Sequence, residues 1–171
     1  MLFLIHYFKK NLKEENIHWI KPDHFHMTLK FLGKTPISQI EEISRVLRAL
    51  SKEFSCFEMR VDGAGLFGSQ YKPKVIWLGL QPKDLLLHLH EKIITSLASL
   101  GIESDRQNFV PHLSMARIRK INHPAHFKMV MEKAEQGFIQ SQKIDKILLY
   151  ESRLLPRGAE YEIIEGFPLS S

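Results

Sequence analysis

The stretch Pro22 to Gly33 reads P-D-H-F-H-M-T-L-K-F-L-G, and the fold turns on how it is read. It sets a His-x-Thr triplet, His26-Met27-Thr28, at the head of an apolar run. A triplet of the same form, His112-Leu113-Ser114, stands 86 positions later inside F-V-P-H-L-S-M-A-R. Side chains alternate faces along a strand, so residues i and i+2 point the same way. Read as strands, His24 to Leu32 and Phe109 to Ile118 each present an imidazole beside a hydroxyl on one face. Met27, Leu29 and Phe31, like Leu113 and Met115, then turn into the hydrophobic layer behind. The two pairs are expected to face each other across one cleft.

Outward from these triplets the chain alternates strands and helices. Residues 2–15 carry a helical stripe, Leu4, Ile5, Phe8 and Leu12, ending in polar K-E-E-N. A strand at Leu2 to Phe8 is the alternative. Ile17 to Ile20 reads as a short strand, broken by Pro22-Asp23. A helix is expected from Ser38 to Phe54, with Ser38 as N-cap and Glu41 completing a capping box. Its apolar stripe is Ile40, Ile43, Val46, Leu47 and Leu50. Phe57 to Val61 is a strand. Asp62 to Gln70 holds three glycines and reads as a turn or bulged segment. Its G-A-G-L-F-G lacks the strand–glycine loop–helix order and the Lys-Ser pair of a phosphate loop.

Lys74 to Leu80, K-V-I-W-L-G-L, is apolar on both faces and reads as a central strand. A helix follows from Pro82 to Leu100, stopped by Gly101. His88 and His90 on it are two apart, share no face, and read as surface or packing residues. After the second triplet, a helix is expected from Ala125 to Gln136, ended by Gly137. Ile144 to Glu151 is a strand, Arg153 to Gly158 a turn, and Tyr161 to Phe167 a closing strand. The order implies an α+β fold of two related halves, each a small sheet backed by helices.

Composition narrows the classes. A chain of 171 residues makes one domain, or two small lobes sharing a core. The net charge of +5 favours an anionic partner such as nucleic acid. Cys56 is the sole cysteine, which excludes an intrachain disulfide and the Cys-rich zinc patterns and fits a reducing cytoplasm. No apolar run reaches the roughly 18 residues of a membrane span. The opening M-L-F-L-I-H-Y-F-K-K lacks the features of a signal peptide.

Two imidazoles on opposite sides of a phosphorus make a minimal acid–base machine. One takes a proton from attacking water while the other protonates the departing oxygen. The hydroxyls of Thr28 and Ser114 can donate to the non-bridging oxygens. No acidic cluster offers itself to magnesium, and no cofactor is implied. A ribose 2′,3′-cyclic phosphate fits, because its alkoxide leaving group needs that proton. Alternatively, His24 and His26 form a metal pair with His112 as third ligand, which leaves the repeated hydroxyl unexplained. A lone His-x-Thr on a strand is usually structural; two copies on apolar strands are far harder to obtain by chance. His6, His18, His123 and His126 have no recognisable context.

At this point the chain resembles the 2H phosphoesterase superfamily, and within it the bacterial and archaeal RNA 2′,3′-cyclic phosphodiesterases, long called 2′-5′ RNA ligases. The matching pieces are W-I-K-P-D-H-F-H-M-T-L-K-F-L-G, K-V-I-W-L-G-L, N-F-V-P-H-L-S-M-A-R, and L-L-Y-E-S with G-A-E-Y and G-F-P-L. They run from Trp19 to Leu169. The resemblance implies a single domain over residues 1–171, bilobal and pseudo-symmetric, with its active-site cleft between two lobes of antiparallel sheet. It implies metal-independent hydrolysis of RNA or nucleotide 2′,3′-cyclic phosphates to 2′-phosphomonoesters; a cytoplasmic location and a monomer are expected alongside. In that scheme His26 donates the proton to the leaving 3′ oxygen and His112 accepts one from water. Thr28 and Ser114 bind the phosphate, and Arg117 matches the family's arginine, fixing the strand or aiding the anion site. End joining to 2′-5′ bonds, exonucleolytic cleavage of a linear diester at RNA 3′ ends, and binding without turnover are the rival activities.

Two positions depart from the family pattern. Ser114 stands where Thr is usual, which keeps the hydroxyl and loses a methyl. Only 18 residues precede Trp19, too few for the family's opening strand and helix together. The expectation is a helix at residues 2–15 with that strand missing, or the helix deleted. A missing strand leaves a sheet edge unpaired.

Overall fold

The computed structural model describes residues 1–69, 71–104, 108–134, 138–155 and 158–171. The described elements are α1 (Leu2–Asn11), β1 (Asn16–Trp19), α2 (Ile37–Ser51), β2 (Phe57–Ser69), β3 (Lys72–Gln81), α3 (Lys83–Ala98), β4 (His112–Lys120), α4 (Pro124–Ala134), β5 (Phe138–Ile144), β6 (Lys146–Leu155) and β7 (Gly158–Pro168). A 3-10 turn covers Pro22–His24. The class is α+β, as the alternation of periodicities requires. The chain forms two compact units, each an antiparallel sheet with helices.

The first unit comprises Met1–Thr28, Met59–Leu86 and Val110–Gln142. Its sheet has five strands in the order β1-β4-β3-β2-β5. β3 sits in the middle, as its two-sided apolar composition requires. Ile76, Leu78 and Leu80 of β3, with Leu113, Met115 and Ile118 of β4, are buried on one face of this sheet. α1 covers that face: Phe8 is fully buried, and its ring lies 6.4 Å from that of Trp19 on β1. Each such side chain contributes about 1.5–3 kcal/mol relative to exposure. Glu15 closes the unit. Its buried carboxylate accepts the backbone N–H of Asn122 and, at 3.2 Å, that of His123, just ahead of α4. α1 is a helix, as the stripe implies, and β1, only four residues long, forms one edge of the sheet.

The second unit comprises Leu29–Glu58, Leu87–Phe109 and Lys143–Ser171. Its β6–β7 hairpin packs against α2, whose Ile43, Leu47 and Leu50 form the buried stripe. Leu89, Ile93 and Leu97 bury one face of α3. The ladder between β6 and β7 runs from Lys146↔Pro168 to Leu155↔Gly158.

Several local expectations are corrected. Residues 25–32 form no strand. Ile20 still donates to Met115, but Pro22 has no N–H and the 3-10 turn diverts the chain from the line of β1. Phe31 accordingly is 71% exposed rather than buried. Ser38 is not the cap of α2: Pro36 is, with extended φ and ψ, and no side chain caps the helix. Phe57 to Ser69 is one bulged strand rather than a strand and a turn. Gly63 and Gly68 adopt positive φ, 70° and 107°, and absorb two register shifts while the ladder to β3 continues. β5 has no counterpart in the sequence reading. The expected helix stop at Gly137, the Pro156–Arg157 part of the expected turn, and Gln70 lie outside the described residues. Among the described residues no helix is long and apolar enough to cross a membrane.

Candidate active site

β4 supplies most of the site. Leu113 and Met115 enter the core, so His112 and Ser114 occupy the opposite face. Their cross-strand partners on β3 are Gly79 and Trp77. The register then shifts between Ile76 and Trp77, so that Ala116 pairs with Ile76 and Arg117 with Val75. Val75, Trp77 and Gly79 alternate regularly along β3 and share one face. Their partners His112, Ser114 and Arg117 share it too. Without the bulge Ala116 would stand there; it is fully buried instead, and Arg117 is exposed. The irregularity re-aims one charged side chain, a usual role of bulges beside sites. On its other side Arg117 pairs with His18 of β1, so that histidine stands on the same face.

The His112 ring has an aromatic surround. It meets Phe67 of β2 edge-on at 4.7 Å between centroids and at 88°, and Trp77 at 6.4 Å and 66°. Phe67 and Trp77 touch each other at 5.2 Å. Two glycines permit close packing here, Gly65 against the cluster and Gly79 against the backbone of β2. A Cβ on Gly65 would lie 2.3 Å from the Trp77 ring, and one on Gly79 would lie 2.5 Å from the Asp62 carbonyl oxygen. The G-A-G-L-F-G run is thus a packing device that delivers Phe67 to His112. Sequence reading missed Phe67, Trp77 and these glycines as site residues. The available signal was that Trp77 and Gly79 fall on the face opposite Ile76, Leu78 and Leu80.

His26 and Thr28 lie in the extended segment after the 3-10 turn, both half-buried. His26 shares one feature with His112. Its Nδ1 lies 2.8 Å from the carbonyl oxygen of His24, and Nδ1 of His112 lies 2.7 Å from that of Val110. A carbonyl oxygen only accepts, so Nδ1 carries the hydrogen in both rings. In the neutral ring that leaves the lone pair on Nε2, and in the charged ring a second N–H. Each imidazole is held at Nδ1 by the residue two positions before it.

All five candidate residues, His26, Thr28, His112, Ser114 and Arg117, belong to the first unit. Among the described residues no three His, Cys, Asp or Glu side chains are arranged to hold a metal ion, His24, His26 and His112 included. In the second unit two arginines hold carboxylates in ion pairs. Arg48 holds the Glu165 carboxyl below the usual carboxylate range through a 2.6 Å hydrogen bond. Arg153 does the same for Glu151 at 2.8 Å.

The profile of the family described as LigT like Phosphoesterase matches residues 4–77. The RNA 2′,3′-cyclic phosphodiesterase of Thermotoga maritima is 30% identical over 146 residues, covering 85% of this chain and 76% of its own. That of Aquifex aeolicus is 29% identical over 153 residues, covering 88% and 81%. Among solved structures, TT0787 of Thermus thermophilus superposes with a TM-score of 0.82 at 21% identity, covering 98% of this chain and 90% of that one. Escherichia coli LigT complexed with 3′-AMP gives 0.74 at 22% identity, with the same two coverages.

Proposed function

The chain belongs to the LigT-like phosphoesterases, the family of the RNA 2′,3′-cyclic phosphodiesterases, and from that premise we propose that it hydrolyses RNA 2′,3′-cyclic phosphate ends to 2′-phosphomonoesters. The observation that carries this reading is the matched pair of imidazoles. His26 and His112 each donate Nδ1–H to the carbonyl two residues earlier, and each has a hydroxyl residue two positions on.

The reaction follows from that arrangement. His112, neutral, accepts a proton from water at Nε2 as the water oxygen bonds to phosphorus. The bond from phosphorus to the 3′ oxygen breaks. His26, charged, gives its Nε2 proton to that oxygen, leaving a 3′-hydroxyl and a 2′-phosphate. The assignment of acid to His26 and base to His112 rests on the family resemblance. Thr28 and Ser114 donate to the non-bridging oxygens, where charge develops. Arg117, on the same face as Ser114, adds a fixed positive charge toward the anion. An RNA 5′-hydroxyl replacing water would give a 2′-5′ bond by the same transfers. The same reading takes residues 1–171 as one catalytic domain, working as a monomer in the cytoplasm.

The test is turnover of a 2′,3′-cyclic mononucleotide and of an oligoribonucleotide with a cyclic end, followed by phosphorus NMR. The expected product is the 2′-monoester, formed without dependence on added metal. Tight binding with no turnover would make the protein a binding module, and loss of activity in EDTA would overturn the metal-free route.

A further inference from the structure

His90 makes two contacts that a packing residue does not need. Its Nδ1–H donates to the carbonyl oxygen of Leu29 at 2.8 Å. Its ring stacks on Phe109, with centroids 4.1 Å apart and planes 10° apart. His90, Leu29 and Phe109 all lie in the second unit. Their places in the chain give the contacts meaning. Leu29 directly follows Thr28, and Phe109 precedes His112 by three residues. One imidazole therefore grips the chain just after the first His-x-Thr triplet and just before the second. α3 is a firm base for this grip, since Leu86, Leu89 and Ile93 around His90 are buried.

The two motifs need this support unequally. His112 begins a strand with ladder partners on β3. The segment 25–32 has no ladder. Its backbone carbonyls must be fixed one at a time, and Leu29 is where His90 does so. We propose that His90 is a positioning residue for the reaction. It holds the backbone that carries His26, and through Phe109 the approach to His112, at the separation that proton transfer across one phosphorus requires. This rests on the assignment of His26 and His112 as the acid–base pair. A misplacement on the order of 1 Å can cost about 10²-fold in rate.

Three substitutions separate the two contacts. His90→Asn keeps an N–H donor on the atom bonded to Cγ, the place of Nδ1, and loses the stack. His90→Phe keeps the stack and loses the donor. His90→Ala loses both. With a 2′,3′-cyclic mononucleotide, His90→Ala is expected to lower kcat about 10- to 10²-fold with KM nearly unchanged. His90→Phe should fall nearly as far, and His90→Asn should recover most of the rate. Imidazole nitrogen NMR should show the His26 and His112 signals displaced in His90→Ala and restored in His90→Asn. Wild-type kcat with undisplaced signals in His90→Ala would overturn the proposal. So would a rate loss matching only the unfolded fraction in a thermal melt. If the unaltered protein hydrolyses no cyclic phosphate, the assigned reaction fails, and the NMR comparison still decides whether His90 positions both rings.

Discussion

The two His-x-Thr/Ser segments hold one residue pattern in different frames. His112 stands in β4, with ladder partners on β3 and Leu113 and Met115 sunk into the core behind it. His26 stands in a segment without ladder, followed by an exposed Phe31. The local ring geometry is nonetheless the same, Nδ1–H to the carbonyl two residues back, at 2.8 and 2.7 Å. The difference teaches that orientation of an imidazole is a local property, set over three residues. Its location in space is not: His112 takes it from sheet register, whereas the segment of His26 has no ladder to set it.

The largest effect should ignore this difference. Alanine at His26 or at His112 is expected to slow hydrolysis on the order of 10²- to 10⁴-fold with folding intact. Steady-state rates alongside circular dichroism check it, and a large asymmetry between the two would mean that only one ring moves a proton. Stability should then separate the segments. Met115→Ala empties a fully buried site and should cost about 2–5 kcal/mol in urea unfolding. Phe31→Ser, at an exposed apolar position of the first segment, should stay within about 0.5 kcal/mol. A cost at Phe31 near that of Met115 would mean the first segment is as deeply anchored as the second.

Gly65→Ala comes next. The added methyl meets the Trp77 ring, which must move or strain, at a cost of about 1–3 kcal/mol. Because Trp77 and Phe67 border the His112 ring, the NMR signal of His112 should shift while that of His26 stays. A shift in both would break the claim that the two frames are separate. The smallest effect lies away from both motifs. Arg48 lowers the pKa of the half-buried Glu165, so this pair stabilises the fold above the carboxylate's unfolded pKa. That contribution fades as pH falls through the lower folded value. Glu165→Gln should lower Tm slightly at neutral pH, should converge with the unaltered protein in acid, and should matter less in high salt. Melts across acid and neutral pH test the sign.

Much of this was legible in residues 19–33 and 109–118 alone. The helices at α1, α2 and α3 follow from stripes such as Ile43, Leu47 and Leu50, because burial of one face needs only a period. The central position of β3 follows from its two-sided apolar composition. Elements that depend on distant partners were harder to read. The stretch around Phe25 to Leu32 has the apolar content of a strand, but a strand exists only where a neighbour offers a ladder. The second part of β2, from Asp62, reads as a turn or bulged segment because its glycines suit one, whereas here they serve bulges and close packing against Trp77.

By itself, the sequence determined the pattern: two imidazoles each followed at i+2 by a hydroxyl, and a period of two that turns His112 and Ser114 away from Leu113 and Met115. Only the tertiary structure decided which neighbours the two segments meet. A one-residue shift opposite Ile76 brings Arg117 rather than Ala116 onto the site face. Stacking and a single hydrogen bond bring His90 to Leu29 and Phe109. The physical reason is the range of the forces: side-chain alternation is fixed by neighbouring backbone angles, while register and packing are set by residues tens of positions away along the chain.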